Sequence, residues 1–288
     1  NAVTRIYSEY GVVPEEVYTG VLAKDGRIDH AAMFKEMNDF LHWCKDHNYW
    51  DERLIIPTIR QILDLTMGTP PETFEWHGAT YTPKEFLTAV CKLHPEDYVS
   101  VMSTLSEPFW THAEYKVPDN WWHDKSYVNV PLDVWYSIIV KAIKAGETMV
   151  IGGDVSEPGY WGEHDIAVVP SFDIPGPYID QDAREFRIYN RTTQDDHGIH
   201  LVGYTRTKDG HDWFLIKDSA RSARHGKYNG YLMYRDGYVK LKMLTFTVHK
   251  DFVKDVLARV AANEKKLAEE KAKADATKKE AAAAEPAK

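Results

Sequence analysis

The order in which two hydrophobic periodicities follow each other narrows the fold of this chain more than any single residue does. Up to Gly146 the apolar residues recur mainly at helical spacing; from Met149 to Val248 they form short strand-like runs. Phe34, Met37, Leu41 and Cys44 fall on one face of a helix expected over 30–47. A second helix is expected over 51–65, broken by Gly68-Thr69-Pro70-Pro71. Thr82-Pro83-Lys84-Glu85 reads as a helix start, with Thr82 as N-cap, Pro83 in the first position and Glu85 completing a capping box, and the helix running to about Leu93. Residues 95–130 read as irregular and 131–145 as a helix closed by Gly146. Met149-Val150-Ile151 then forms a strand ending at Gly152-Gly153, and a Pro/Gly/Asp-rich stretch covers 154–183. Strand-like runs follow at 199–205, 213–217, 231–235 and 243–248, with Asp209-Gly210 as the hairpin turn between the first two. Helices followed by antiparallel strands argue for an α+β fold. The expected division is a mainly helical part over 1–146, an antiparallel β part over 147–253 and a Lys/Ala/Glu-rich tail over 254–288, solvated and partly helical or disordered.

Charge and composition exclude several classes. The net charge is −9 and the folded part carries no basic stripe, so nucleic acid is not an expected partner. The apolar runs fall far short of the roughly 18 residues of a membrane span. Two cysteines, Cys44 and Cys91, rule out a disulfide framework, and no Cys/His cluster has zinc spacing, so neither a metal nor another cofactor is expected. Nine Trp and seventeen Tyr point to extensive aromatic packing.

The chemistry concentrates in three short segments: D-D-H-G-I-H-L-V-G-Y over 195–204, W-F-L-I-K-D-S over 213–219, and N-G-Y over 229–231. They read as a strand with His197 at its head, a hairpin, and a second strand ending in Asp218, which brings imidazole and carboxylate together. Any one of thirteen histidines is by default a surface or structural residue, so the weight lies on the combined arrangement.

In that arrangement the chain resembles the papain superfamily, whose histidine strand reads D-H-A-x-x-x-x-G-Y and whose partner strand reads I-K-N-S-W-G followed by N-G-Y. Asp196-His197 with Gly203-Tyr204, Ile216-Lys217-Asp218-Ser219, and Asn229-Gly230-Tyr231 carry the match. His200 is the rival histidine, but its offset from Gly203-Tyr204 does not fit. Y-G-V-V-P-E-E-V-Y over 10–18, G-T-P-P-E-T-F-E-W over 68–76, S-Y-V-N-V-P-L-D over 126–133 and A-G-E-T-M-V-I-G-G-D-V over 145–155 are similar to the bleomycin hydrolase/aminopeptidase C branch, over residues 1–253. The resemblance implies a papain-like fold with a helical insertion and a cysteine-type peptidase of the aminopeptidase kind. It makes His197 the acid/base, Asp218 the residue that orients it, and Asp196, Gly153 and Asp154 substrate-binding residues. Two departures stand out: Asp218 replaces the family's Asn, and Ala220 replaces the Trp that shields the orienting bond.

A cysteine peptidase also needs a thiolate of lowered pKa. The family's Gln…Gly-Ser-Cys-Trp segment is not found in these residues. Cys44 lies roughly 150 residues before His197, near the papain spacing, but it sits on the apolar face of a helix; Cys91, in A-V-C-K-L, reads as core. The nucleophile is therefore expected upstream, on a complementary N-terminal chain or segment. The alternative is an inactive homologue that uses the scaffold for binding or assembly. Peptide substrates and a ring-like homo-oligomer are the implied partners. Localisation is left open between the cytoplasm and, behind an upstream leader, the periplasm or the exterior.

Overall fold

A computed structural model describes residues 2–20 and 29–284, with side chains to residue 277. The chain divides into two compact units, residues 2–95 and residues from Glu96 onward.

The first unit holds α1 (Ala2–Tyr10), α2 (Ala31–Asp46), α3 (Glu52–Met67), a two-stranded hairpin of β1 (Phe74–Trp76) and β2 (Ala79–Tyr81), and α4 (Pro83–Glu85). Gly11 ends α1 with φ 77°, and a Cβ there would lie 2.2 Å from the carbonyl carbon of Pro83. Only glycine allows that approach. Asp51 caps α3 by accepting from Arg53 N–H, and Gly68 closes it with φ 80°. The capping box expected at Thr82–Glu85 is present. The helix continues differently, as a π turn over Phe86–Val90. The wider turn places Phe86 and Leu87 on the buried side and leaves Cys91 exposed, where the sequence pattern puts it in the core. Cys44 is buried, but on α2 it shares the core with Met33; Phe34 and Leu41 face outward. The buried face is thus rotated from the Phe34–Leu41 stripe.

The second unit is built on one ten-stranded sheet, ordered β4-β5-β3-β12-β6-β9-β10-β11-β8-β7. In chain order it comprises β3 (Tyr98–Met102), β4 (Thr111–Ala113), β5 (Tyr127–Asn129), α5 (Leu132–Lys144), β6 (Met149–Gly153), β7 (Tyr160–Trp161), β8 (Ile166–Ala167), α6 (Gln181–Tyr189), β9 (His197–Arg206), β10 (Asp212–Lys217), β11 (Tyr231–Arg235), α7 (Asp236–Lys242), β12 (Met243–His249) and α8 (Lys254–Ala284). Pairing is antiparallel except for β3 with β5 and β11 with β8. The compact units therefore part at Pro95/Glu96, not at residue 146. Residues 98–129, irregular by pattern, supply three short strands whose length leaves almost no alternation to read. The helix that follows packs Trp135 and Ile139, both fully buried, into the core of the sheet.

That core also contains Phe214, Ile216, Leu201, Ile151, Phe246, Tyr234 and Tyr238. Arg184 lies inside it with no exposed surface. Its Nε donates to Ser103 O at 3.0 Å, its Nη1 to Lys240 O at 2.7 Å and Met243 O at 2.5 Å, and its Nη2 to Leu244 O at 3.0 Å. Its guanidinium also lies 4.9 Å from the Trp135 ring centroid.

The tail segment is more integrated than its composition implies. The first turns of α8 dock on β4: Val260 is fully buried, the Arg259 guanidinium lies 3.5 Å from the Trp110 ring centroid, and Glu264 accepts from His112 N–H at 2.7 Å. Residues 265–277 are exposed.

Candidate active site

β9 and β10 form a hairpin through Thr207 and Gly210, whose φ of 88° fits the turn. Alternation along β9 buries Ile199 and Leu201. The register shifts between Leu215 and Ile216: Leu215 faces Gly203 and Ile216 faces Leu201, so Val202 is the extra residue. At Gly203 a Cβ would stand 3.1 Å from that of Leu215. The result is that the start of β9 and the end of β10 lie side by side.

There the His197 Nε2 lies 2.8 Å from Asp218 Oδ1. The same oxygen accepts from Ala220 N–H at 2.8 Å. The Asp218 side chain is closed from solvent, while about a quarter of the His197 side chain (26%) is open. The Asn229-Gly230-Tyr231 turn supports this corner. Gly230, at φ 99°, accepts from Asp218 N–H at 2.8 Å and donates to Ala223 O at 2.8 Å before the chain enters β11. Tyr160 Oη, from the edge strand β7, reaches Asp218 Oδ2 at 3.5 Å, and its ring meets Tyr234 edge-on at 6.3 Å. Sequence reading gives no sign of Tyr160, because it lies in the Pro/Gly/Asp-rich stretch where no periodicity or motif marks it.

The electrostatics follow from this geometry. The hydrogen bond to Asp218 raises the His197 pKa above its ordinary 6.5; partial burial opposes it, and the charges of Asp218 and Asp196 add to the rise. For Asp218, burial pushes upward, but the His197 and Ala220 hydrogen bonds, the imidazolium charge and Tyr160 together hold the carboxyl below its usual range. His200 takes no part: its Nε2 bonds Thr148 Oγ1 at 3.0 Å, and burial, with Lys217 nearby, lowers its pKa.

The three remaining candidates surround His197 differently. Gly153 pairs with His197 across β6 and β9, and a Cβ on it would fall 2.4 Å from Lys242 O. Asp196 donates its N–H to Gly153 O at 3.1 Å and accepts from Val155 N–H at 3.0 Å and from the Ser156 hydroxyl. Asp154 is buried and its carboxylate is committed, Oδ1 to Ser156 N–H at 3.0 Å and Oδ2 to Gln194 N–H at 2.8 Å. Its carbonyl accepts from Tyr238 Oη at 2.8 Å. Asp154 thus ties the strand entering the site to the segment before His197.

Both cysteines belong to residues 2–95. Among the described residues no group of three or more His, Cys, Asp or Glu is placed to hold a metal ion, and no helix is long and apolar enough to cross a membrane.

The His197–Asp218 pair lies on a sheet that follows, in chain order, a mainly helical part. Residues 1–270 match the Peptidase C1-like family, and the chain belongs to it, with papain-like peptidases of the aminopeptidase C branch. Aminopeptidase C of Streptococcus thermophilus is 24% identical over 186 residues, covering 54% of this chain and 40% of that protein. Aminopeptidase C of Lactococcus lactis subsp. cremoris is 25% identical over 182 residues, covering 53% and 39%. The matches thus span about 40% of the length of these curated relatives. Among solved structures, PepW from Lactobacillus rhamnosis superposes with a TM-score of 0.63 at 17% identity, over 92% of this chain and 64% of that one. The shared α+β fold is that of papain-like peptidases.

Proposed function

We propose that this chain carries the histidine half of a cysteine-type peptidase site, with aminopeptidase activity, and that the thiol comes from a segment upstream of Asn1. The supporting observation is the 2.8 Å contact between His197 Nε2 and buried Asp218 Oδ1. It leaves Nδ1 as the nitrogen for chemistry on the quarter-exposed side of the ring. A thiolate paired with that imidazolium attacks the peptide carbonyl carbon. The C–N bond then breaks as Nδ1–H donates its proton to the leaving amine. Water hydrolyses the thioester, losing its proton to Nδ1 and restoring the imidazolium–thiolate pair. Asp218 holds the tautomer and the charge; Asp196, through its bonds to Val155 and Ser156, and Gly153, opposite His197, border the ground where peptide binds.

Cys44, buried on α2, and Cys91, exposed just after the π turn, have no part in this reading. The test uses the full-length gene product and a thiol-reactive peptide probe. Labelling of a cysteine other than Cys44 or Cys91, lost in His197→Ala together with peptide turnover, supports it. No labelling and no turnover return the chain to a non-catalytic binding role.

A further inference from the structure

In the unit that carries His197, a cavity of about 340 Å³ opens between β3, the 114–118 loop, α6 and the segment before β9. Met102, Val117, Ile188 and Leu244 give it apolar walls; Tyr115 and Asp195 give it a polar end. Asp195 is two residues from His197 in sequence. Across the sheet, Gly152 and Gly198 face each other in register. A Cβ on Gly152 would stand 3.4 Å from Asp195 Oδ1 and 3.0 Å from Thr245 Oγ1, and one on Gly198 would meet nothing within 4 Å. Gly152 thus lies within reach of both the Asp195 carboxylate and the His197 backbone.

The charges around the cavity are unevenly satisfied. Glu114 Oε1 is 2.6 Å from His123 Nδ1, and Lys116 is paired with Glu107. Arg184 directs its donors to four backbone carbonyls. Among the described residues no lysine, arginine or histidine pairs with Asp195. Burial, with the like charges of Asp119 and Asp196, pushes its pKa up to about 6, against the pull of Tyr115 and of the chain's N-terminal charge. The Tyr115 hydroxyl is itself shut away from solvent without a partner at hydrogen-bond distance among the described residues. A buried carboxylate with no lysine, arginine or histidine paired to it among the described residues, beside a buried hydroxyl without a partner at hydrogen-bond distance, both at the end of an apolar cavity, complement a nitrogen cation on an aliphatic stem.

We propose that Asp195 and Tyr115 form the acidic end of a subsite that takes a cationic nitrogen of a peptide, either its α-ammonium or a lysine or arginine side chain, with the stem against Met102, Val117 and Leu244. Its consequence for cleavage rests on the peptidase reading of His197; the binding itself does not. Asp195 would then be a specificity residue, and cleavage would favour substrates that carry the cation close to the scissile bond.

The experiment titrates three probes into the chain by NMR: N-acetyl-lysine amide (side-chain cation), leucine amide (α-ammonium) and neutral N-acetyl-norleucine amide. At least one cation is expected to bind roughly tenfold more tightly than the neutral probe, with shift changes centred on Asp195 and Tyr115. Asp195→Asn removes that preference, Asp195→Glu keeps most of it, and Tyr115→Phe reduces it. The cation that is preferred names the source. Equal binding of all three probes by the unmodified chain, or a preference that survives Asp195→Asn, overturns the proposal; the first result needs no variant to fold. No turnover is involved, so failure here leaves the peptidase reading standing, and failed thiol labelling leaves this binding standing.

Discussion

His197 begins β9 and Asp218 follows the last residue of β10, yet their side chains meet at 2.8 Å because the hairpin and the Val202 bulge bring the two strand ends together. The carboxylate raises the imidazole pKa above 6.5. A group whose pKa rises on folding adds stability below its unfolded value, and loses that contribution as pH climbs through the folded one. The window for His197 therefore opens near pH 6.5 and extends upward. Asp218→Asn keeps a hydrogen-bond acceptor but removes the charge. We expect the NMR-titrated pKa of His197 to fall, and the alkaline limb of kcat/KM in the full-length enzyme to move down with it. An unmoved titration would mean that the carboxylate charge does not control the imidazole.

Tyr160 covers the carboxylate where Ala220 cannot. Its hydroxyl is 3.5 Å from Asp218 Oδ2, a long bond, so Tyr160→Phe is expected to cost no more than about 1 kcal/mol, or roughly fivefold in kcat. Tyr160→Ala removes the ring and admits water to Asp218. The His197 Nε2–H resonance should stay visible in Tyr160→Phe and be lost to solvent exchange in Tyr160→Ala. If it survives in the alanine variant, another group shields the pair.

What the sequence made legible is what repeats or is spaced. The strands at 149–153, 197–206, 212–217, 231–235 and 243–249 show in apolar runs, and the Thr82–Glu85 capping box shows as four residues. The meeting of His197 with Asp218 is readable because a hairpin converts a sequence interval into a cross-strand neighbour. Three other features have no local signal. Three-residue strands such as Thr111–Ala113 and Tyr127–Asn129 are too short to alternate. The π turn that exposes Cys91 looks like an ordinary helix until its hydrogen bonds are seen. Tyr160 and Arg184 act through partners 56 or more residues away, so only the folded chain pairs them. The docking of α8 was hidden by composition: Val260 and Arg259 sit among alanines and lysines that read as solvated.

Arg184 gives the plainest stability test. It is fully buried, burial lowers its pKa to about 10, and among the described residues no carboxylate is ion-paired with it. It joins the end of β3, the end of α7 and the start of β12 by donating to four carbonyls. Arg184→Met fills much of the volume but leaves those acceptors without donors in a closed core. The expected loss is about 3–5 kcal/mol, read as a lower urea midpoint. A midpoint within experimental scatter of the unmodified chain would show that water reaches the carbonyls and that the guanidinium is replaceable.

Two glycines flank His197, and the structure separates their roles. Gly153 is the cross-strand neighbour of His197, and its α-carbon is pressed against β12: a Cβ would fall 2.4 Å from Lys242 O and 2.6 Å from Met243 Cα. Those are backbone atoms, so β6 and β12 must separate to admit a methyl group, and β9 moves with β6. Gly153→Ala is expected to lose about 1–3 kcal/mol and to shift the His197 ring signals. Gly198, one residue further along β9, has nothing within 4 Å of a built Cβ. Gly198→Ala should change stability by no more than about 0.5 kcal/mol, because the methyl enters open space. Thermal unfolding of the two variants, with the His197 NMR signals recorded on both, checks the contrast; equal losses would mean that strand flexibility at glycine, and not the contact with β12, sets the cost.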